Sequence, residues 1–219
     1  MFQSTPVRRL RGRLAWSACA ALCASSLAHA ATITNGGFEQ PGLGFRSVAA
    51  GETYGAWTCD GPDDIEFVRA EVNPALPGLE FAAYEGEYII DLCGVGRPSA
   101  IYQDILDLAP GGLYRVDFAF AANLWGPDTL FVMDVLWNGS TVGTFSRIAG
   151  GSNGAAMGWE NKFVDVVGTG NDRLMFRALT SGQARGAAID AVSISAIPSP
   201  GVLALASLGL LSGTRRRRR

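Results

Sequence analysis

Few side chains in this 219-residue chain could carry nucleophilic or metal chemistry, and several of those few sit near its start. His29 is the only histidine and Lys162 the only lysine. Of the four cysteines, Cys19 and Cys23 lie just before His29, which leaves Cys59 and Cys93. A serine or cysteine nucleophile needs a base to take its proton, usually an imidazole. Beyond residue 30 there is no imidazole, so Ser-His-Asp, Cys-His and His-ligated zinc chemistry fall together. No Gly-x-x-x-x-Gly-Lys phosphate loop occurs. What remains is carboxylate, 20 in all. Two acids suffice for glycoside hydrolysis, but no motif marks a pair. The cluster Asp60, Asp63, Asp64 and Glu66 beside Cys59 reads as a solvated loop. The expectation is a protein that is not an enzyme.

The charges are unevenly placed. The net charge is −2, yet four Arg lie in the first 13 residues and Arg215 to Arg219 end the chain. Without those ends, nine basic residues face all twenty acids, a net −11. Nucleic acid is an unsuitable partner, because phosphate neutralisation needs clustered Lys and Arg.

Residues 1–30 have a basic start, an apolar run over Leu14 to Leu27 and a small-any-small ending, Ala28-His29-Ala30. That is the order of a secretory signal peptide with cleavage after Ala30. The run is about 14 residues, short of the roughly 20 a spanning helix needs. Cleavage would remove His29. In an exported protein the remaining even pair, Cys59 and Cys93, reads as one disulfide.

Residues 197–219 have three parts. Pro198-Ser199-Pro200 breaks regular structure, Val202 to Leu211 is apolar, and five Arg follow. A hydrophobic segment before a dense positive cluster halts export. The order resembles the PEP-CTERM sorting signal of Gram-negative bacteria, with Ser199 where the family's Glu stands. The resemblance implies exosortase recognition, cleavage near Pro200 and only transient membrane contact. Delivery would be to the cell surface, outer membrane or extracellular matrix.

The elements between, residues 31–196, form one domain's worth of chain. Tyr114, Val116, Phe118 and Phe120 alternate with polar or small residues, as do Phe131, Met133, Val135 and Trp137, and Leu174, Phe176 and Ala178. Such period-2 runs are half-buried strands. Asn138-Gly139 between two of them predicts a type I′ hairpin. No convincing amphipathic helix exceeds two turns. The expected fold is an all-β antiparallel jelly-roll sandwich, flanked by the signal peptide and a C-terminal hydrophobic helix. Trp57, Trp137 and Trp159 read as structural. Trp125, in Ala122-Asn123-Leu124-Trp125-Gly126-Pro127-Asp128, sits in a predicted loop, where a ring is better placed to meet a ligand.

Asn35-Gly36-Gly37-Phe38-Glu39 is expected on the first strand of the domain. Gly55-Ala56-Trp57-Thr58, Gly86 to Leu92, Ile101 to Ile105, Pro110 to Val116, Gly158-Trp159 and Ala188 to Ile194 follow in order. This order resembles the galactose-binding-like jelly rolls, above all the choice-of-anchor C surface proteins, and is similar to family 4 and 22 carbohydrate-binding modules. The resemblance implies a structural Ca²⁺ joining the two ends of the domain, with Glu39 and Asp190 as carboxylate ligands. Sugars pack their C–H faces on aromatic rings while polar side chains read the hydroxyls. The ligand candidates are therefore Trp125, Asn123, Tyr102 and Arg177, with Arg115 behind them. The expected function is glycan or exopolysaccharide binding at the surface or in the matrix. The alternative is a structural matrix component with no specific glycan site.

Overall fold

The computed structural model describes residues 32–42, 44–70, 82–124, 129–148, 157–180 and 185–198. Residues 1–30, Trp125, and the tail from Ser199 onward fall outside them. The described residues form twelve strands: β1 (Arg46–Val48), β2 (Thr53–Tyr54), β3 (Trp57–Cys59), β4 (Ile65–Arg69), β5 (Tyr88–Asp91), β6 (Ala100–Leu106), β7 (Leu113–Ala122), β8 (Leu130–Trp137), β9 (Ser140–Ile148), β10 (Glu160–Val167), β11 (Asn171–Ala178) and β12 (Ala187–Ala196). Among them there is no helix. All pair antiparallel in two six-stranded sheets: β1-β4-β5-β12-β7-β10, and β2-β3-β6-β11-β8-β9. The expected all-β sandwich is the observed fold.

The period-2 runs place the core where their spacing predicts. Tyr114, Val116, Phe118 and Phe120 of β7 meet Met133, Val135 and Trp137 of β8 and Leu174 and Phe176 of β11 in one buried cluster. Phe118 packs edge-on against Phe176 with centroids 5.1 Å apart. Trp57 is fully buried, and its indole N–H donates to Asn35 O. The β8–β9 connection is Asn138-Gly139, with φ of 51° and 81°. Positive φ at both positions is the type I′ hairpin.

The Asn35–Glu39 segment departs from expectation. It is a turn rather than a strand, with Asn35 and Phe38 at positive φ. Its amides and carbonyls serve tertiary bonds in place of a ladder. Val192 N donates to Gly36 O, at the register break in β12 between Asp190 and Ser193. A Cβ on Gly36 would lie 1.9 Å from the Val192 carbonyl oxygen, so only glycine fits this approach. The Asn35 side chain binds Gln40 O and Gly55 O, and Phe38 fills the core.

The expected Cys59–Cys93 disulfide is not formed in this structure, where both cysteines are buried. Cys59 points into the space between the sheets with the main core cluster. Past the end of β5, alternation sends Leu92 inward with Ile90, and Cys93 outward with Ile89 and Asp91. The two sulfurs therefore face opposite sides of the first sheet. Spacing along the chain carries no information about which face each residue takes.

Candidate functional site

The outer face of the second sheet assembles the most chemistry. Inward residues Ile101 and Ile105 of β6 leave Tyr102, Asp104 and Leu106 outward. Cross-strand register sets Thr58 of β3 on one side of Tyr102 and Met175 of β11 on the other. Arg173, one step along β11, pairs with Asp104. Its Nε and Nη2 donate to the two Asp104 oxygens at 2.6 and 2.8 Å. Its guanidinium lies 3.7 Å from the centroid of the Tyr102 ring. The carboxylate holds the guanidinium in place, and the guanidinium holds the ring. The Arg173 bonds keep the Asp104 carboxyl below its ordinary range.

A cleft of about 520 Å³ opens beside Tyr102. Thr32 and Thr34 of the N-terminal segment form one wall, Ala56 and Thr58 another, and Tyr102, Asp104, Leu106 and Asp107 the floor and end. Gln103 builds the wall. It points inward, accepts from Thr34 N at 2.8 Å, and donates to Thr34 O and Ala56 O at 2.9 and 3.1 Å. A smaller cleft of about 320 Å³ lies across the Asp104–Arg173 pair, lined also by Asn138, Asn171 and Asp172. Arg173 lines only the smaller cleft and Tyr102 only the larger. An aromatic ring, hydroxyls, carboxylates and a fixed guanidinium thus share one β-face.

Arg177 lies on the same face, four residues along β11 from Arg173. Its Nη2 donates to Asp134 at 2.8 Å, and Thr144 donates to the other Asp134 oxygen at 2.7 Å. Tyr102 and Arg177 are therefore brought together as face-mates, and Arg177 is already committed to a carboxylate. Asn123 is elsewhere. It directly follows β7 of the first sheet, is 5% exposed, and donates its amide to Asp91. Burial and that bond set it apart from the face that carries Tyr102 and Arg177. Arg115 lies on the outer face of the first sheet, bound to Asp165 and over the Phe163 ring. Trp125 lies outside the described residues.

Asp91 and Glu66 are the nearest approach to a carboxylate pair. They stand opposite each other on β5 and β4. Burial pushes the Glu66 carboxyl up to about 7, with Asp91 and Asp64 adding repulsion. Burial pushes Asp91 up to about 6, against the bonds from Asn123, Cys93 N and Gly186 N. Asp91 is almost wholly enclosed, so a substrate has no path to both acids.

Glu39 and Asp190 converge on one turn. Glu39 Oε1 accepts from Glu87 N and Tyr88 N at 2.8 and 3.0 Å. Asp190 accepts from Tyr84 N and Glu85 N on one oxygen and Ala191 N on the other. Burial pushes Asp190 up to about 7, and the nearby Glu85 charge adds to the shift. The donor set is acidic, as a hard cation requires, but two carboxylates fall short of six to eight oxygens. Among the described residues no group of three or more His, Cys, Asp and Glu is gathered to hold a metal. Carbonyls would have to complete any shell.

Thr34, Thr58, Asp104 and Arg173 were not singled out from sequence. Alternation does put Arg173 and Arg177 on one face. Nothing in the spacing places β6 and β3 beside them.

No protein-family model matches the chain, and no curated protein matches it. Solved structures of similar shape include a family 61 carbohydrate-binding module in complex with β-1,4-galactotriose, 19% identical, covering 75% of this chain and 97% of that one, with TM-score 0.48. A family 4 carbohydrate-binding module is 17% identical, covers 75% and 99%, and has TM-score 0.42. A family 35 module from Clostridium thermocellum is 16% identical, covers 68% and 96%, and has TM-score 0.41.

Proposed function

We propose that residues 31–196 form a non-catalytic carbohydrate-binding domain that engages glycan along the outer face of its second sheet. One observation carries this reading: the 520 Å³ cleft in which Tyr102 meets Thr34, Thr58 and Asp104. A pyranose offers an apolar C–H face and a ring of hydroxyls. The ring suits the first, and the threonine hydroxyls and carboxylates suit the second. The cleft is open and polar, as a site for a length of polymer would be. Glycan-array or affinity-electrophoresis binding of the purified domain tests it. Tyr102→Ala should weaken retention at least about tenfold, the loss of one stacking contact plus its desolvation. Retention that is unchanged in Tyr102→Ala places the site elsewhere, and absence of retention on every glycan favours a structural matrix component.

Export and sorting belong to the same proposal. They are supported by the order of charges and apolar runs in residues 1–30 and 197–219. The cell-surface product would run from residue 31 to near Pro200, with an exosortase as processing partner and exopolysaccharide as the polymer met there. Mass spectrometry of the surface-extracted protein reads both ends directly. A structural Ca²⁺ at Glu39 and Asp190 is supported by the enclosed acidity of that turn, and would hold the N-terminal turn against β12. EDTA should then lower the Tm of the purified domain, and an unchanged Tm rejects the ion.

A further inference from the structure

The charges around the cleft go further than the chemistry of stacking and concern which glycan enters. This inference rests on the glycan-binding reading above.

Asp104 and Asp107 both line the cleft, and both are exposed. Asp107 sits at φ 67° just past the end of β6. Asp60, beyond β3, adds its negative field at Arg173. The cations that could answer these charges are already engaged. Arg173 spends both ends of its fork on Asp104. Arg177 is held by Asp134. The pattern extends across the domain: Arg46, Arg69, Arg97, Arg115, Arg147 and Lys162 each lie within 4.0 Å of a carboxylate. An acidic polysaccharide needs arginine or lysine donors for its carboxylates or sulfates. At the cleft it would find Arg173 and Arg177 already paired with Asp104 and Asp134, and it would approach a domain of net charge −11 over residues 31–197.

We propose that the cleft ranks glycans by charge, taking amine-bearing oligosaccharides best, neutral ones next, and uronate- or sulfate-bearing ones worst. An ammonium group on a hexosamine would lie near Asp107, which offers carboxylate oxygens to a hard cationic donor. A uronate in the same position would meet like charge. Each contact is solvent-exposed, so the effect is modest and falls with salt.

The test uses matched oligosaccharides on glucan and galactan backbones, in amino, N-acetylated and uronic-acid forms, titrated against the purified domain by calorimetry at low and high salt. The expected result is a span of roughly tenfold in Kd from amino to uronic-acid form at low salt, narrowing at high salt. Asp107→Asn should narrow the same span at low salt. Uronic-acid forms that bind as tightly as the amino forms, or tighter, overturn the ranking and leave the glycan-binding reading standing. A span that does not change with salt or with Asp107→Asn also overturns it. Failure of every form to bind removes the glycan-binding reading and the ranking with it.

Discussion

Cys59 shows how one side chain's surroundings settle its chemistry. Its thiol donates to Asp63 O at 3.4 Å, and burial together with the Asp64 charge pushes it up to about 11. A thiolate is the reactive form, so native Cys59 should resist iodoacetamide near neutral pH. Denaturation without reductant should then expose Cys59 and Cys93 to alkylation, each adding one adduct mass by mass spectrometry. A protein that takes up label only after reduction would contain the disulfide after all. Gly36 makes a second residue-scale prediction. A Cβ there meets the Val192 carbonyl oxygen at 1.9 Å, and backbone on both sides cannot yield cheaply. Gly36→Ala should destabilise the domain by about 1–3 kcal/mol, read as a lowered midpoint in urea. At position 86 the obstacle is Glu39, whose Oε1 would lie 2.2 Å from an added Cβ.

Pairs of strands have properties that neither strand has alone. Glu66 of β4 and Asp91 of β5 are acids in ordinary positions by sequence; burial in the folded sheet raises both, and the register that sets them opposite lets the Asp91 charge raise Glu66 further. Their folded values, about 7 and about 6, lie above the unfolded values of roughly 4. The native state therefore binds protons more readily than the unfolded chain. The stability these groups contribute is present in full below the unfolded values and is lost as pH rises through 6 to 7. Asp104 and Asp165, held low by arginines, act in the opposite sense and lose their contribution only on stronger acidification. Urea midpoints should fall between about pH 5 and pH 8, and Glu66→Gln should lessen that fall. A midpoint that rises over this range in the parent protein contradicts the raised pair. The β8–β9 hairpin works at the same scale, where Asn138 and Gly139 turn the chain and the Asn138 side chain also bonds Asp172 and the Arg173 amide.

At the scale of the whole molecule, the sandwich depends on contacts between its sheets. Phe176 of β11 is fully buried and touches both Phe118 of the facing sheet and Trp57 of its own. Phe176→Ala should cost about 3–5 kcal/mol, a large part of the stability of a domain this size, and would show as a much reduced Tm. The outer face of the second sheet depends on this packing, because β3, β6 and β11 present Thr58, Tyr102 and Arg173 outward only while their alternate residues are held inward. The N-terminal segment adds the last wall through Gln103, far from it in sequence.

Taken alone, the sequence determined the class of fold, the inward faces of β7, β8 and β11, and the β8–β9 turn. Those follow from side-chain alternation and from backbone angles that Asn and Gly tolerate, both local properties. It also excluded histidine chemistry from residue 31 onward by composition. It picked Tyr102 and Arg177, which the structure sets on one face, and Asn123, which the structure buries against Asp91. It missed Thr58, Asp104 and Arg173, and it paired two cysteines that point to opposite sides of a sheet. Those outcomes depend on strand order and register: which strand lies beside which, and at what offset. That information resides in contacts between residues tens of positions apart, where loop closure and packing decide the partner. Only the tertiary structure brings Tyr102, Arg173 and Asp104 into contact, sets Asp104 and Asp107 along one cleft, and places Glu66 opposite Asp91.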